Sequence, residues 1–247
     1  MRLELEFEIL KPELPQDNKS IWLSYLKNVM SICNDGKFFD EFFVEKKTKD
    51  YSFSMIFSKP KYRGKKIILQ NHQIKMIFSA SDTNLTGAKF YTAFIENKGE
   101  LFALPNKNYI MLKSIRKIEE QEVQSNKLLI KTVVGGGLLI RKHEHQTNTD
   151  KFYTYLDDEF VKEAKEILSY QAKLAGFSND VANSVNIKPI DCKKIVVLQY
   201  GIYADVTKGM FLLEGNPELL QYYYQAGLGS KHSMGYGLID IVAQDRL

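Results

Sequence analysis

Cys33 and Cys192 are the only cysteines in 247 residues. Two thiols so far apart exclude a disulfide framework or a four-thiolate zinc site, and the expected state is two reduced, buried thiols. No apolar run approaches the ~20 residues that a membrane-spanning helix needs. The N-terminal stretch MRLELEFEIL lacks the continuous apolar core of a signal peptide. A cytoplasmic protein with no membrane partner is therefore expected. Net charge is slight, +4 from 34 basic and 30 acidic residues. Such an excess permits a polyanionic partner without demanding one. The apolar fraction of 44% is that of an ordinary folded chain, long enough for one large domain or two of usual size.

What is present is a repeated pattern. Leu3, Leu5, Phe7 and Ile9 alternate with charged residues, the period of a half-buried strand. Beyond Pro12 and Pro15, Ser20 is placed to cap a helix carrying Trp22, Leu26, Val29, Met30 and Cys33 on one side. Asn34-Asp35-Gly36 ends it. A strand is expected over 51–57, a strand or hairpin over 66–78, a helix from 83 or 84 to 97, and a strand over 109–118. In the second half a strand over 128–134 is interrupted by glycines 135–137, and a polar tongue covers 141–151. A helix from Asp157, strands over 194–203 and 208–213, a short helix from Pro217 and a strand over 236–243 follow. Each half reads strand, helix, strand, strand, helix, strand. The expected fold is α+β: two tandem ferredoxin-like (RRM-like) βαββαβ domains, residues 1–122 and 123–247, the second carrying a glycine-rich loop over 227–237.

That loop, GLGSKHSMGYG, fits neither common phosphate motif. A dinucleotide fingerprint follows a strand and opens a helix, whereas here a helix precedes and a strand follows. A P-loop would end in Gly-Lys-Ser/Thr, which is absent. Two readings stay open. The glycines supply positive φ to a long connection, or they offer bare backbone amides, helped by Lys231, to a phosphate chain.

The C-terminal segment Gly215-Asn-Pro-Glu-Leu-Leu, then Ala-Gly-Leu-Gly-Ser-Lys-His-Ser-Met-Gly-Tyr-Gly, then an apolar strand, resembles the signature of a known family. It is similar to the CRISPR-associated repeat-processing endoribonucleases of the repeat-associated mysterious protein superfamily, whose loop ends in Gly-aromatic-Gly, here Gly235-Tyr236-Gly237. Leu139-Ile-Arg-Lys-His-Glu-His and Asp150-Lys-Phe-Tyr-Thr-Tyr also resemble the middle of such proteins. The resemblance implies two ferredoxin-like domains that bind CRISPR repeat RNA and cut the precursor transcript into guide RNAs. It implies no metal and no cofactor: the 2′-hydroxyl attacks the phosphorus and leaves a cyclic phosphate. The alternative is a non-catalytic RNA-binding subunit of a CRISPR effector complex. A homodimer stays open, and a metabolic or metal-sensing protein finds no supporting fingerprint.

Many members of that family carry a histidine after the first helix, shortly before a lysine. Residues 38–47 here contain no histidine; Lys46 matches the lysine position best, with Lys47 beside it. Tyr25 on the first helix corresponds to a tyrosine that some members use. The remaining catalytic candidate is His143, since Arg141, His143 and His145 share one face if the tongue is extended. A zinc site at His143 and His145 would need a third ligand. Arg141, Lys142 and Lys47, with Gly227, Gly229, Ser230, Lys231, His232, Gly235 and Gly237 of the loop, are the expected RNA-binding residues. A loop histidine bonded to backbone is the preferred reading of His232, His72 is taken as structural, and Tyr222-Tyr223-Tyr224 read mainly as core.

Overall fold

The computed structural model describes residues 1–45, 47–144 and 146–245. The first half contains β1 (Arg2–Ile9), β2 (Glu13–Pro15), α1 (Lys19–Ile32), α2 (Phe39–Phe43), β3 (Tyr51–Phe57), β4 (Lys61–Arg63), β5 (Lys66–Ile68), β6 (Gln73–Ala80), α3 (Thr86–Glu96), β7 (Leu101–Leu104) and β8 (Asn108–Ile118). Its main sheet runs β3-β6-β1-β8-β7, all neighbours antiparallel. Without the edge strand β7, this is the ferredoxin-like order. The alternation of β1 sends Leu3, Leu5, Phe7 and Ile9 into the core, where Phe7 meets Trp22 and Tyr25 edge-on at 5.5 and 5.1 Å between ring centres. Helix α1 starts at Lys19 after Asn18, one residue before the expected Ser20 cap.

The second half contains β9 (Lys127–Thr132), β10 (Ile140–Glu144), β11 (Thr149–Tyr153), α4 (Phe160–Leu174), α5 (Asn179–Asn183), β12 (Asn186–Gln199), β13 (Ile202–Glu214), α6 (Pro217–Ala226) and β14 (Ile239–Gln244). Its sheet order, β12-β13-β9-β14, repeats the plan of the first half. The polar tongue is the antiparallel hairpin β10–β11, outside that sheet. Strands β12 and β13 form a hairpin much longer than the two short strands expected. Cys33 is buried as expected, but Cys192 is only partly covered.

Helix α6 lies in the seam between the halves, which explains why all three consecutive tyrosines are buried. Tyr223 donates to the Leu168 carbonyl at 2.7 Å on the second-half side. Tyr222 donates to Asp50 of the first half at 3.0 Å, and the Arg2 guanidinium lies 5.0 Å from the Tyr224 ring centre. The buried Arg2 also donates to the Ile239 carbonyl and to Asp240. Further bonds from β3, Ser52 to the Tyr236 carbonyl at 2.6 Å and Ser54 to the Val134 carbonyl at 2.9 Å, tie the halves together. No described helix is long and apolar enough to cross a membrane.

Candidate nucleic-acid interface

The glycine-rich loop turns its amides inward. Gly227 donates to the Tyr223 carbonyl at 3.0 Å, Ser230 to that of Leu139 at 2.8 Å and Gly235 to that of His232 at 3.1 Å. Gly237 donates to the Gly137 carbonyl at 2.9 Å, and Gly229 to the buried Gln171 amide oxygen at 3.0 Å. These amides therefore do not form the open cradle that one reading of the sequence anticipates. The four glycines are buried because other chain segments occupy the space of a side chain. A Cβ on Gly229 would stand 2.9 Å from the Leu139 carbonyl oxygen and 2.7 Å from a Leu138 methyl group. What the loop turns toward the surface is Ser230, Lys231, Ser233 and Met234, all partly exposed.

His232 is the loop's bolt to the first half. Its Nδ1 faces the carbonyls of Tyr51 and Ala226, both at 3.1 Å, so that nitrogen carries the proton and donates. Burial lowers its pKa below the ordinary 6.5, more than the two carbonyls raise it. The unfolded chain thus binds more protons than the folded one just below pH 6.5, and stability falls as the pH drops through that range. We expect the melting temperature to decline from pH 7 toward pH 5, with a shallower decline in His232→Gln. A scan with identical slopes in both proteins contradicts this role.

Beside the loop, the β10–β11 hairpin gathers the charged candidates. Arg141 and His143 share one face, as strand alternation requires, and both reach Asp150. Arg141 Nη1 contacts the two carboxylate oxygens at 2.9 and 2.8 Å, and His143 Nδ1 lies 2.8 Å from one of them. Burial would raise the Asp150 pKa, but bonds from Arg141 and His143 and the charges of Arg141 and Lys231 hold it low. Lys231 is drawn below its usual value by burial and by Arg141, partly offset by Asp150. The loop and the hairpin are joined directly, since the Arg141 amide donates to Ser230 Oγ at 3.0 Å. Lys142, on the opposite face, is held by Glu163 of α4 at 2.9 Å.

Of the first-half candidates, Tyr25 and Lys47 do not join this cluster. Tyr25 is 1% exposed and packs edge-on against Phe7 and Phe102. Burial raises its pKa far above that of a free phenol, and among the described residues its hydroxyl meets no partner. Tyr25 is therefore a core residue rather than a catalytic one. Lys47 is exposed and paired with Glu45. Lys46 and His145 lie outside the described residues. His72 bonds the Ile9 carbonyl through Nδ1 at 2.8 Å. Among the described residues no three of His, Cys, Asp and Glu are grouped to hold a metal.

A cleft of about 420 Å³ opens between the halves on the other side of the loop. One lip is the basic hairpin β4–β5, with Pro60 and Tyr62; the other is β12–β13, with Lys193, Val196 and Lys208. Glycines 135–137, Tyr236 and Lys19 line it further, and among the described residues no carboxylate does. Lys193 and Lys208 stand directly opposite each other across the hairpin. Like charges so placed destabilise a sheet. The Lys208 pKa is accordingly lowered, by burial first and then by Lys193 and Lys131. The hairpin tip closes on the first half, where the Gly201 amide donates to Asp17 at 2.9 Å. None of these cleft lysines stands out in the sequence. Their common feature is a position on elements that the fold alone brings together.

Two ferredoxin-like halves clasped along a buried seam, with cations gathered beside a glycine-rich loop, define the class of repeat-associated mysterious proteins. The family model for "CRISPR associated protein Cas6, C-terminal" matches residues 118–241, half of the chain. The chain belongs to the Cas6 family of CRISPR-associated RNA endonucleases. A solved structure described as "Characterization of a Cas6-related gene from Pyrococcus furiosus" superposes with a TM-score of 0.82 and 17% identity over 99% of both chains. One described as "An RAMP protein binding different RNA substrates" gives 0.80 at 16% identity, covering 98% of this chain and 100% of the other. A third, "CRISPR associated protein Cas6", gives 0.72 at 17% identity over 98% and 99%. Likeness at such low identity establishes the tandem ferredoxin-like fold. Comparison with curated proteins by sequence gives no match.

Proposed function

We propose that this protein binds CRISPR repeat RNA along the lysine-lined cleft and cleaves the precursor transcript into guide RNAs without a metal ion. The observation that carries the binding is the cleft's wall: Lys19, Lys193 and Lys208 with no lining carboxylate among the described residues. A directly opposed Lys193–Lys208 pair costs stability in the free protein, and a phosphate between them turns repulsion into attraction. Tyr62 at the cleft lip, 65% exposed, offers a ring on which a base can stack.

For the chemistry, the Asp150-anchored cluster supplies what a 2′-hydroxyl attack needs. His143 moves a proton, its ring fixed by Asp150 at 2.8 Å. Arg141 and Lys231 balance the charge that builds on the phosphorus. The 2′-oxygen loses its proton and bonds to phosphorus, and the 5′-oxygen leaves with a proton, giving a cyclic phosphate and a 5′-hydroxyl. Lys46 and Lys47, from the segment before β3, are the further basic candidates. The glycines hold the loop's course, and Ser230 and Lys231 are its RNA-facing residues. Repeat RNA of the source genome, end-labelled and incubated in EDTA, should yield fragments ending in cyclic phosphate. His143→Ala should slow this by about 10²–10⁴-fold while binding holds. RNA bound but uncut by the parent protein would instead assign the chain to the non-catalytic subunits of effector complexes.

A further inference from the structure

We propose that Lys19 and Tyr236 form a phosphate seat on the cleft floor, at which the RNA backbone docks. This rests on the reading of the cleft as an RNA site and goes beyond it by naming the docking point. Lys19, at the start of α1, sends its Nζ across the seam to the Gly235 carbonyl at 2.6 Å, and the same nitrogen sits 4.1 Å from the centre of the Tyr236 ring. Both residues line the cleft. Tyr236 is 1% exposed, yet among the described residues its hydroxyl meets no donor or acceptor. A buried hydroxyl without a partner is costly, and a phosphate oxygen is the acceptor that such a cleft would receive.

Loss of water pulls the Lys19 pKa from 10.5 down to about 7. The titratable groups facing it are Asp17, bonded to the Gly201 amide, then Tyr62 of β4, Lys193 of β12, Lys208 of β13 and Tyr236 itself. Among the described residues no carboxylate lines the cleft itself, and the charge of Asp17 beside it adds to burial in raising the Tyr236 pKa. A phosphodiester arriving beside Nζ favours the charged form, so between pH 7 and pH 10 binding takes up a proton and weakens as the pH rises.

The test is calorimetry at pH 8 with repeat RNA made with 2′-O-methyl sugars, so that no 2′-hydroxyl can attack. Running it in two buffers of different ionisation enthalpy counts the protons. The parent protein should take up about one proton per RNA. Lys19→Met should bind roughly tenfold more weakly and take up none. Lys19→Arg, charged throughout, should keep the affinity but lose the uptake. Tyr236→Phe keeps the ring under Lys19, and should weaken binding about three- to tenfold without lowering the melting temperature. Unchanged affinity in both Lys19→Met and Tyr236→Phe overturns the seat, and equal proton uptake by the parent and Lys19→Arg shows that Lys19 is already charged in the free protein. A folded parent protein that binds no RNA overturns the cleft reading itself.

Discussion

Gly237→Ala should abolish the native C-terminal half. The added Cβ would stand 1.8 Å from the Leu228 carbonyl oxygen, and the backbone φ of +66° is one that side chains resist. That carbonyl belongs to the residue whose amide donates to Gly237, so neither strand of the loop can retreat without breaking the bond at 3.0 Å. Leu228, Leu238 and Ile239 around it are fully buried, leaving no space to absorb the shift. A loss of more than about 4 kcal/mol is expected, as for other steric failures in a packed interior. Soluble yield and thermal unfolding measure it. A variant melting within a few degrees of the parent would show that the loop is looser than its bonding implies. Gly99→Ala serves as the control, since no atom lies within 4 Å of the Cβ it would add, although its φ of +89° carries strain of its own.

Lys208→Thr should move stability and RNA affinity in opposite directions. Removing one member of the opposed Lys193–Lys208 pair relieves repulsion across β12–β13, and threonine suits a strand. The melting temperature should rise by a few degrees, in line with a gain of about 0.5–1 kcal/mol. Affinity for repeat RNA should fall, and the slope of log K against log salt should become shallower by about 0.7, one phosphate contact on a single strand. The Lys193→Thr, Lys208→Thr pair should lower that slope by about 1.4. Stability that rises with no change in binding would move the RNA elsewhere.

Much of the architecture could be read from the chain because period and punctuation agree. The alternation of β1, the Asn216 and Pro217 start of α6 and the turn residues 34–36 all express local preferences that the packing keeps. The beginning of β12 was hidden by Pro189, which argues against a strand interior. It is tolerated because β12 lies at the edge of its sheet, where a missing amide breaks fewer ladder bonds. Tyr25 shows the opposite tension. Its spacing from Trp22 and Val29 is that of a buried helix face, and packing follows the spacing rather than the family likeness. The hairpin face of Arg141 and His143 was legible from alternation, but their convergence on Asp150 depends on a register that only the folded hairpin sets. The lysine wall of the cleft was not legible. Lys19 and Lys208 are 189 positions apart, and a lysine on a strand carries no mark of what it will face.

The central claim is that RNA lies between the two halves, against Lys19, Tyr62, Lys193 and Lys208. Photo-crosslinking of repeat RNA carrying 4-thiouridine, followed by mass spectrometry of the adducts, tests it most directly. Adducts on the β4–β5 and β12–β13 hairpins that bracket the cleft are the predicted result. Adducts confined to the outer edge around β7, with both hairpins unlabelled, would contradict it.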